Sequence, residues 1–174
     1  MSDEEMVKKS KYNYGEPIPL DSIPISDTEE ALRDFANGSR GLEICLRVLW
    51  MHGLKTYASY PGNRNTFDIA YIVMEEEEDV FSYLSDEFLN HDNIRIDIVD
   101  NRQIIKFSGN DGEKNSEMIF LAQNINKRKR YNNSLLVQEK IGLPFPDGWV
   151  RKIQFYDSNP NLLHWSSKVF IKQK

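Results

Sequence analysis

The sequence predicts an α+β fold: a two-layer sandwich with helices packed on one face of a mainly antiparallel sheet. Three observations lead there. A nearly all-round apolar stretch of helical period spans Arg40 to His52. The period then switches to two over Lys55–Tyr60, Thr66–Met74, Ile94–Ile98 and Arg102–Phe107. Helical period returns between and after these strand pairs, so sequential strands are joined by turns or by a single helix.

Residues 1–25 have no period, and EPIPLDSIP carries three prolines that block both helix and ladder. This segment is expected to be a flexible or strap-like lead-in, with Ile18, Leu20, Ile23 and Ile25 able to dock. Residues 26–174 are expected to form one domain, a normal size for a single core. Ser26-Asp-Thr-Glu29 has the spacing of a capping box, followed by a short helix to about Phe35 that Asn37-Gly38 ends.

In the second helix Leu42, Cys45, Leu46 and Leu49 share one face, and Ile44, Val48 and Met51 widen it. Only a narrow stripe with Glu43 and Arg47, an i,i+4 pair, is left polar. Gly53 supplies the left-handed stop. Pro61-Gly62-Asn63-Arg64-Asn65 reads as a five-residue turn between the first two strands, and Phe67, Ile69, Tyr71 and Val73 point one way in the second.

The run Glu75–Asp79 is expected to open a helix burying Val80, Phe81, Leu84 and Phe88, since carboxylates suit the positive end of a helix dipole. Ile94, Ile96 and Ile98 alternate with Arg95 and Asp97, which predicts one dry and one wet face. Asp100-Asn101 makes a hairpin turn into Arg102–Phe107. The SGNDG piece at Ser108–Gly112 reads as the loop to a helix at about 115–130, with Met118, Leu121, Ala122 and Ile125 inside. A short helix near Leu135–Ile141, a turn at LPFPDGW and strands near Ile153–Tyr156 and Trp165–Lys172 complete the order.

The single cysteine, Cys45, leaves no internal disulfide and suggests a reducing, cytoplasmic setting. No apolar run approaches the roughly 18 residues of a membrane span, so no membrane partner is expected. The net charge of −5 hides an asymmetry. Residues 1–100 hold 21 acidic and 9 basic side chains, and residues 101–174 hold 6 and 13. Such a split arises either from elements that neutralise one another or from a surface that steers a charged partner.

No reaction signature is present. His52, His91 and His164 are far apart without Cys or His at ligand spacing, so no metal or cofactor is expected. His52 sits where a helix C-terminus favours a cation. Cys45 lies on the apolar face as a core thiol. There is no Gly-x-Ser-x-Gly elbow and no phosphate-binding loop. A site assembled from scattered residues such as Asp68, Tyr60 and His91 is the enzymatic alternative.

Two recognition surfaces remain. Thr56, Tyr57, Ser59, Tyr60, Asn63 and Arg64 form a hydrogen-bonding cluster at a strand end beside a turn, which reads either as a recognition surface, whose favoured residue types it holds, or as a plain polar turn. The carboxylates Glu75, Glu76, Glu77 and Glu78 could sit where phosphates of a nucleic acid would. Alternatively, Lys127, Arg128, Lys129, Arg130 and Tyr131 could track a nucleic-acid backbone, joined by Arg151, Lys152, Lys168, Lys172 and Lys174 with Trp149 or Trp165 as stacking surfaces.

GLKTYASYPGN at Gly53–Asn63, with GSRGLEICLRVLW before it, resembles a segment of small proteins of Gram-positive bacteria and their mobile elements. In these an amphipathic helix runs into Gly-Ile-Lys-Thr-x-Ala-Cys-Cys-x-Gly-His. Ser59 and Tyr60 stand at the two Cys positions here and Asn63 at the His position, so any thiol or metal role is lost. Gly53, Lys55, Thr56, Ala58 and Gly62 keep the frame. The resemblance implies a phage or mobile-element setting. The expectation is a non-enzymatic binding protein that inhibits a host nucleoprotein defence complex, as anti-CRISPR proteins do. A nucleic-acid-binding or processing protein is the alternative.

Overall fold

A computed structural model describes residues 10–63, 68–89, 94–126, 149–154 and 167–172. Helices α1 (Thr28–Ala36), α2 (Arg40–Met51), α3 (Asp86–Leu89) and α4 (Asp111–Gln123) accompany strands β1 (Thr56–Tyr60), β2 (Ala70–Met74), β3 (Ile94–Val99), β4 (Arg102–Phe107), β5 (Trp149–Gln154) and β6 (Ser167–Lys172). The strands form a six-stranded sheet in the order β1-β2-β4-β3-β6-β5, with antiparallel pairing throughout. Helices lie against one face, which is the α+β arrangement the sequence predicts.

Helix α2 is the hub. Leu42, Cys45, Leu46 and Leu49 are fully buried in the same core as Leu32 and Phe35 of α1, Met118 and Leu121 of α4, and the inward residues of the sheet. The Ser39 hydroxyl caps α2 by accepting from the Leu42 N–H at 3.2 Å. Gly53 follows with φ +75°. Ser26 does not cap α1, whose first residue is preceded by Asp27 with no side-chain cap. Glu29 instead accepts both guanidinium N–H groups of Arg47, at 2.5 and 2.8 Å, because a bidentate charged pair outcompetes a reach back to one backbone N–H.

The strands follow register. Ala70, Ile72 and Met74 face the helices, Ala70 and Ile72 pairing across β4 with Phe107 and Ile105, while Tyr71 and Val73 face the other way. Asp100 and Asn101 both have positive φ, 51° and 64°, as a two-residue primed hairpin turn demands. The lead-in runs along the outer edge of β1, where the Gly15 N–H donates to the Ser59 carbonyl at 2.6 Å and the Ile18 N–H to the Tyr57 carbonyl at 2.8 Å. It thereby satisfies acceptors that an open sheet edge would leave to another chain.

Three expectations change. Residues 75–79 are not helical: a turn there has Glu77 at φ 66°, and only a 3-10 turn at Phe81–Tyr83 and short α3 follow. The cause is long-range. The Gln103 side-chain oxygen on β4 accepts the N–H groups of Val80 and Phe81, and the Asp79 carboxylate accepts from Gln103 and Ser82. Val80, Phe81, Leu84 and Phe88 are nevertheless buried. Second, Arg95 is exposed as expected but Asp97 on the same face is not; it is 0% exposed and paired with Lys106. Strand β3 has β6 on its far side, so it is an interior strand. Third, α4 begins at Asp111 and ends at Gln123. Asn110 and Glu113 close a full capping box within the presumed loop. The segment near 135–141 and the LPFPDGW turn before Trp149 lie outside the described residues.

Candidate functional site

Strand β1 carries the predicted cluster, and burial, with a register shift between Thr56 and Ala58, divides that cluster in two. Thr56, 4% exposed, and Ser59, 3% exposed, point at the helices; the Thr56 hydroxyl oxygen accepts from the Trp50 indole N–H at 2.9 Å. These two support the body. Tyr57 lies half-buried with the Arg102 guanidinium 4.0 Å from its ring centroid. The Tyr60 ring packs against Tyr71 at 5.5 Å and Tyr14 at 5.7 Å, joining the lead-in to the sheet.

The turn beyond β1 is organised by one carboxylate. Asp68 accepts the Tyr60 hydroxyl at 2.9 Å and the Asn63 backbone N–H at 3.0 and 3.1 Å. Its third partner comes from α4: the Lys114 ammonium donates to Asp68 Oδ1 at 3.0 Å and to the Asp68 carbonyl at 3.2 Å, and lies 3.6 Å from Asp111 Oδ1. Lys114 is 1% exposed, and a buried ammonium is tolerated only with such company. Gly62, at φ +80°, lets the backbone pass over it; a Cβ there would sit 2.7 Å from Lys114 Nζ.

Burial, and then the hydrogen bond to Asp68, push the Tyr60 hydroxyl up to about 12, so it stays a donor at neutral pH. Tyr60 therefore acts as a donor that holds the geometry of the turn. Beside it opens a polar cleft of about 320 Å³ whose lining includes Gly38, Ser39, Gly62, Asn63, Lys114 and Asn115. On its far wall the Asn115 side-chain oxygen accepts the Gly41 N–H at 2.8 Å, fixing α4 to the start of α2.

The acidic run is elsewhere. The Glu75 N–H donates to the Lys55 carbonyl and Glu78 accepts the Lys55 N–H, while the Glu77 N–H donates to the Asn101 carbonyl. This places Glu75–Glu78 at the opposite end of β1 and β2 from Asn63, roughly 15 Å away along five-residue strands. Glu76 and Glu77 are exposed there. The turn and the carboxylates are thus two surfaces. Arg64, His91 and Lys127–Tyr131 lie outside the described residues. Of the Asp68, Tyr60 and His91 set, the first two are in contact.

Lys114, Asn115 and Asp111 are the residues that the sequence reading missed. Their signal was present: Asn110-x-x-Glu113 starts a helix, and Lys114 then lies at i−4 and i−7 from Met118 and Leu121, on the inner face. Among the described residues no group of three or more His, Cys, Asp or Glu could hold a metal, and no helix is long and apolar enough to cross a membrane. Burial holds the Cys45 thiol far above its ordinary range. No protein-family model, curated protein or solved structure matches this chain.

Proposed function

We propose that this chain is a cytoplasmic binding protein that occupies a target without transforming a substrate, using the turn Tyr60–Asn63 and its polar cleft as the main contact surface. The observation that carries the reading is how Asp68, Lys114 and Tyr60 are used. Three ionisable groups meet at the turn, where they contact one another and the turn's own backbone. A surface fixed before binding loses little conformational entropy on contact.

The target class follows from the resemblance at Gly53–Asn63 and from charge. In a phage or mobile-element setting the target is a host nucleoprotein defence complex. The exposed carboxylates Glu76 and Glu77 form a second contact that competes for cations otherwise reserved for phosphate.

Affinity capture from a bacterial lysate tests this. The reading expects a protein partner in near-stoichiometric amount, lost when Asn63→Ala is combined with Glu76→Gln and Glu77→Gln. Recovery of nucleic acid alone, with binding that falls steeply as salt rises, would replace it with the nucleic-acid alternative.

A further inference from the structure

We infer that residues 13–17 form a clasp over strand β1 whose closing sets the Tyr60–Asn63 turn and which, on the reading that this turn is the contact surface, regulates binding there. Firm anchors bound the span on both sides. Before it, Tyr12 is 7% exposed with its ring 5.8 Å from that of Phe35. The Lys11 and Tyr12 N–H groups donate to the Asp34 carboxylate at 3.0 and 3.2 Å, and both side chains donate to Asp27. After it, Ile18 packs against the core and its N–H donates to the Tyr57 carbonyl.

Between these anchors all five residues are exposed. Two contacts tie the span to β1: the Gly15 N–H on the Ser59 carbonyl, and the Tyr14 ring 5.7 Å from that of Tyr60. Gly15 permits the bend, because at φ +82° an ordinary side chain would strain the backbone. A segment with few buried contacts and exposed backbone bonds opens locally at small cost while its anchors stay in place.

Both contacts land where the turn is built. Tyr60 lies between Tyr14 and Tyr71, and its hydroxyl donates to Asp68, the carboxylate that also takes the Asn63 N–H. With the clasp closed, Tyr14 restricts the Tyr60 ring and keeps its hydroxyl aimed at Asp68. With the clasp open, the ring gains freedom and Asp68 loses a fixed donor. Clasp and turn are thus two parts of one equilibrium. Whatever favours the set turn, a bound partner included, closes the clasp, and the closed clasp favours the set turn by the same factor.

Amide hydrogen exchange of the full chain without any partner tests this, so the outcome is independent of whether a target is captured. Tyr14→Ser should speed exchange of the Asn63 N–H about fivefold, the worth of one aromatic contact, while Tyr14→Phe leaves it unchanged. Tyr60→Phe keeps the ring but drops the hydroxyl, and should in turn speed exchange of the Gly15 N–H. Amides of the β3–β4 hairpin should hold their rates in all three variants. Unchanged Asn63 exchange in Tyr14→Ser overturns the inference, as does a Gly15 rate indifferent to Tyr60→Phe. So does Tyr14→Phe behaving like Tyr14→Ser, or hairpin amides that speed up as much as Asn63, since a general loss of stability would then account for the change.

Discussion

Lys114 Nζ lies 3.0 Å from Asp68 Oδ1, joining the first turn of α4 to the loop before β2 across 46 positions of sequence. This contact sets the shape of the candidate site, and its energetics are open to direct test. Asp68→Asn takes the carboxylate at 3.0 Å away from a buried ammonium, so a loss of about 3 kcal/mol in urea unfolding is expected. Lys114→Met alone should cost less, because Asp68 is partly solvated. Adding Lys114→Met to Asp68→Asn should recover much of the loss. Additive effects in that double-mutant cycle would show that the pair is not coupled.

Two glycines give opposite readings of one substitution. Gly41 is in the first turn of α2, where alanine ordinarily gains up to about 1 kcal/mol. Here its Cβ would meet the Asn115 carbonyl oxygen at 2.8 Å and the Asn115 Cα at 2.9 Å, so Gly41→Ala should destabilise by about 2 kcal/mol. Gly53→Ala, at φ +75° but with nothing within 4 Å, should cost only about 1 kcal/mol. Thermal midpoints of the two variants check the order; a neutral Gly41→Ala would mean that α2 and α4 are not closely packed there.

Alkaline pH should expose Tyr60. Its hydroxyl loses its proton near the ordinary value of 10.0 when unfolded and at about 12 when folded. The folded state therefore holds the proton more tightly. Its contribution is fully present below pH 10.0, falls as only the unfolded chain ionises, and is gone above about 12. Tyr71, by burial, and Tyr12, by its hydrogen bond to Asp27, shift in the same direction. Tyr60→Phe should make stability fall less steeply across this window. An unchanged slope would show that the folded state does not hold the Tyr60 proton more tightly.

Cys45 should be silent to thiol reagents in the native protein. It is buried and its thiol is held protonated by desolvation. Labelling by a disulfide reagent should occur only at the rate of opening and become rapid in denaturant. Fast native labelling would mean that the α2 face is not packed as described.

How much of this was legible in the sequence depends on range. Helix α2 shows itself in Leu42, Cys45, Leu46 and Leu49 and in the Gly53 stop, all within one local period. The Asp100-Asn101 hairpin shows itself likewise, because turn chemistry is written in adjacent residues. The Glu75–Asp79 segment misled because its competitor is remote: Gln103 takes the N–H groups that a helix would have used. Asp97 misled because its buried ion pair with Lys106 on β4 departs from an alternation that Arg95, exposed on the same face, otherwise follows. The Asp68–Lys114 contact was invisible for the same reason, while the capping box that places Lys114 was within reach.

The account rests on the turn being the contact surface. Hydrogen exchange of the chain, free and bound to its captured partner, tests that most directly. The prediction is slowed exchange on binding at Tyr60–Asn63, with a second protected segment at Glu75–Glu78. Unchanged exchange at both, with protection elsewhere on the chain, would contradict it.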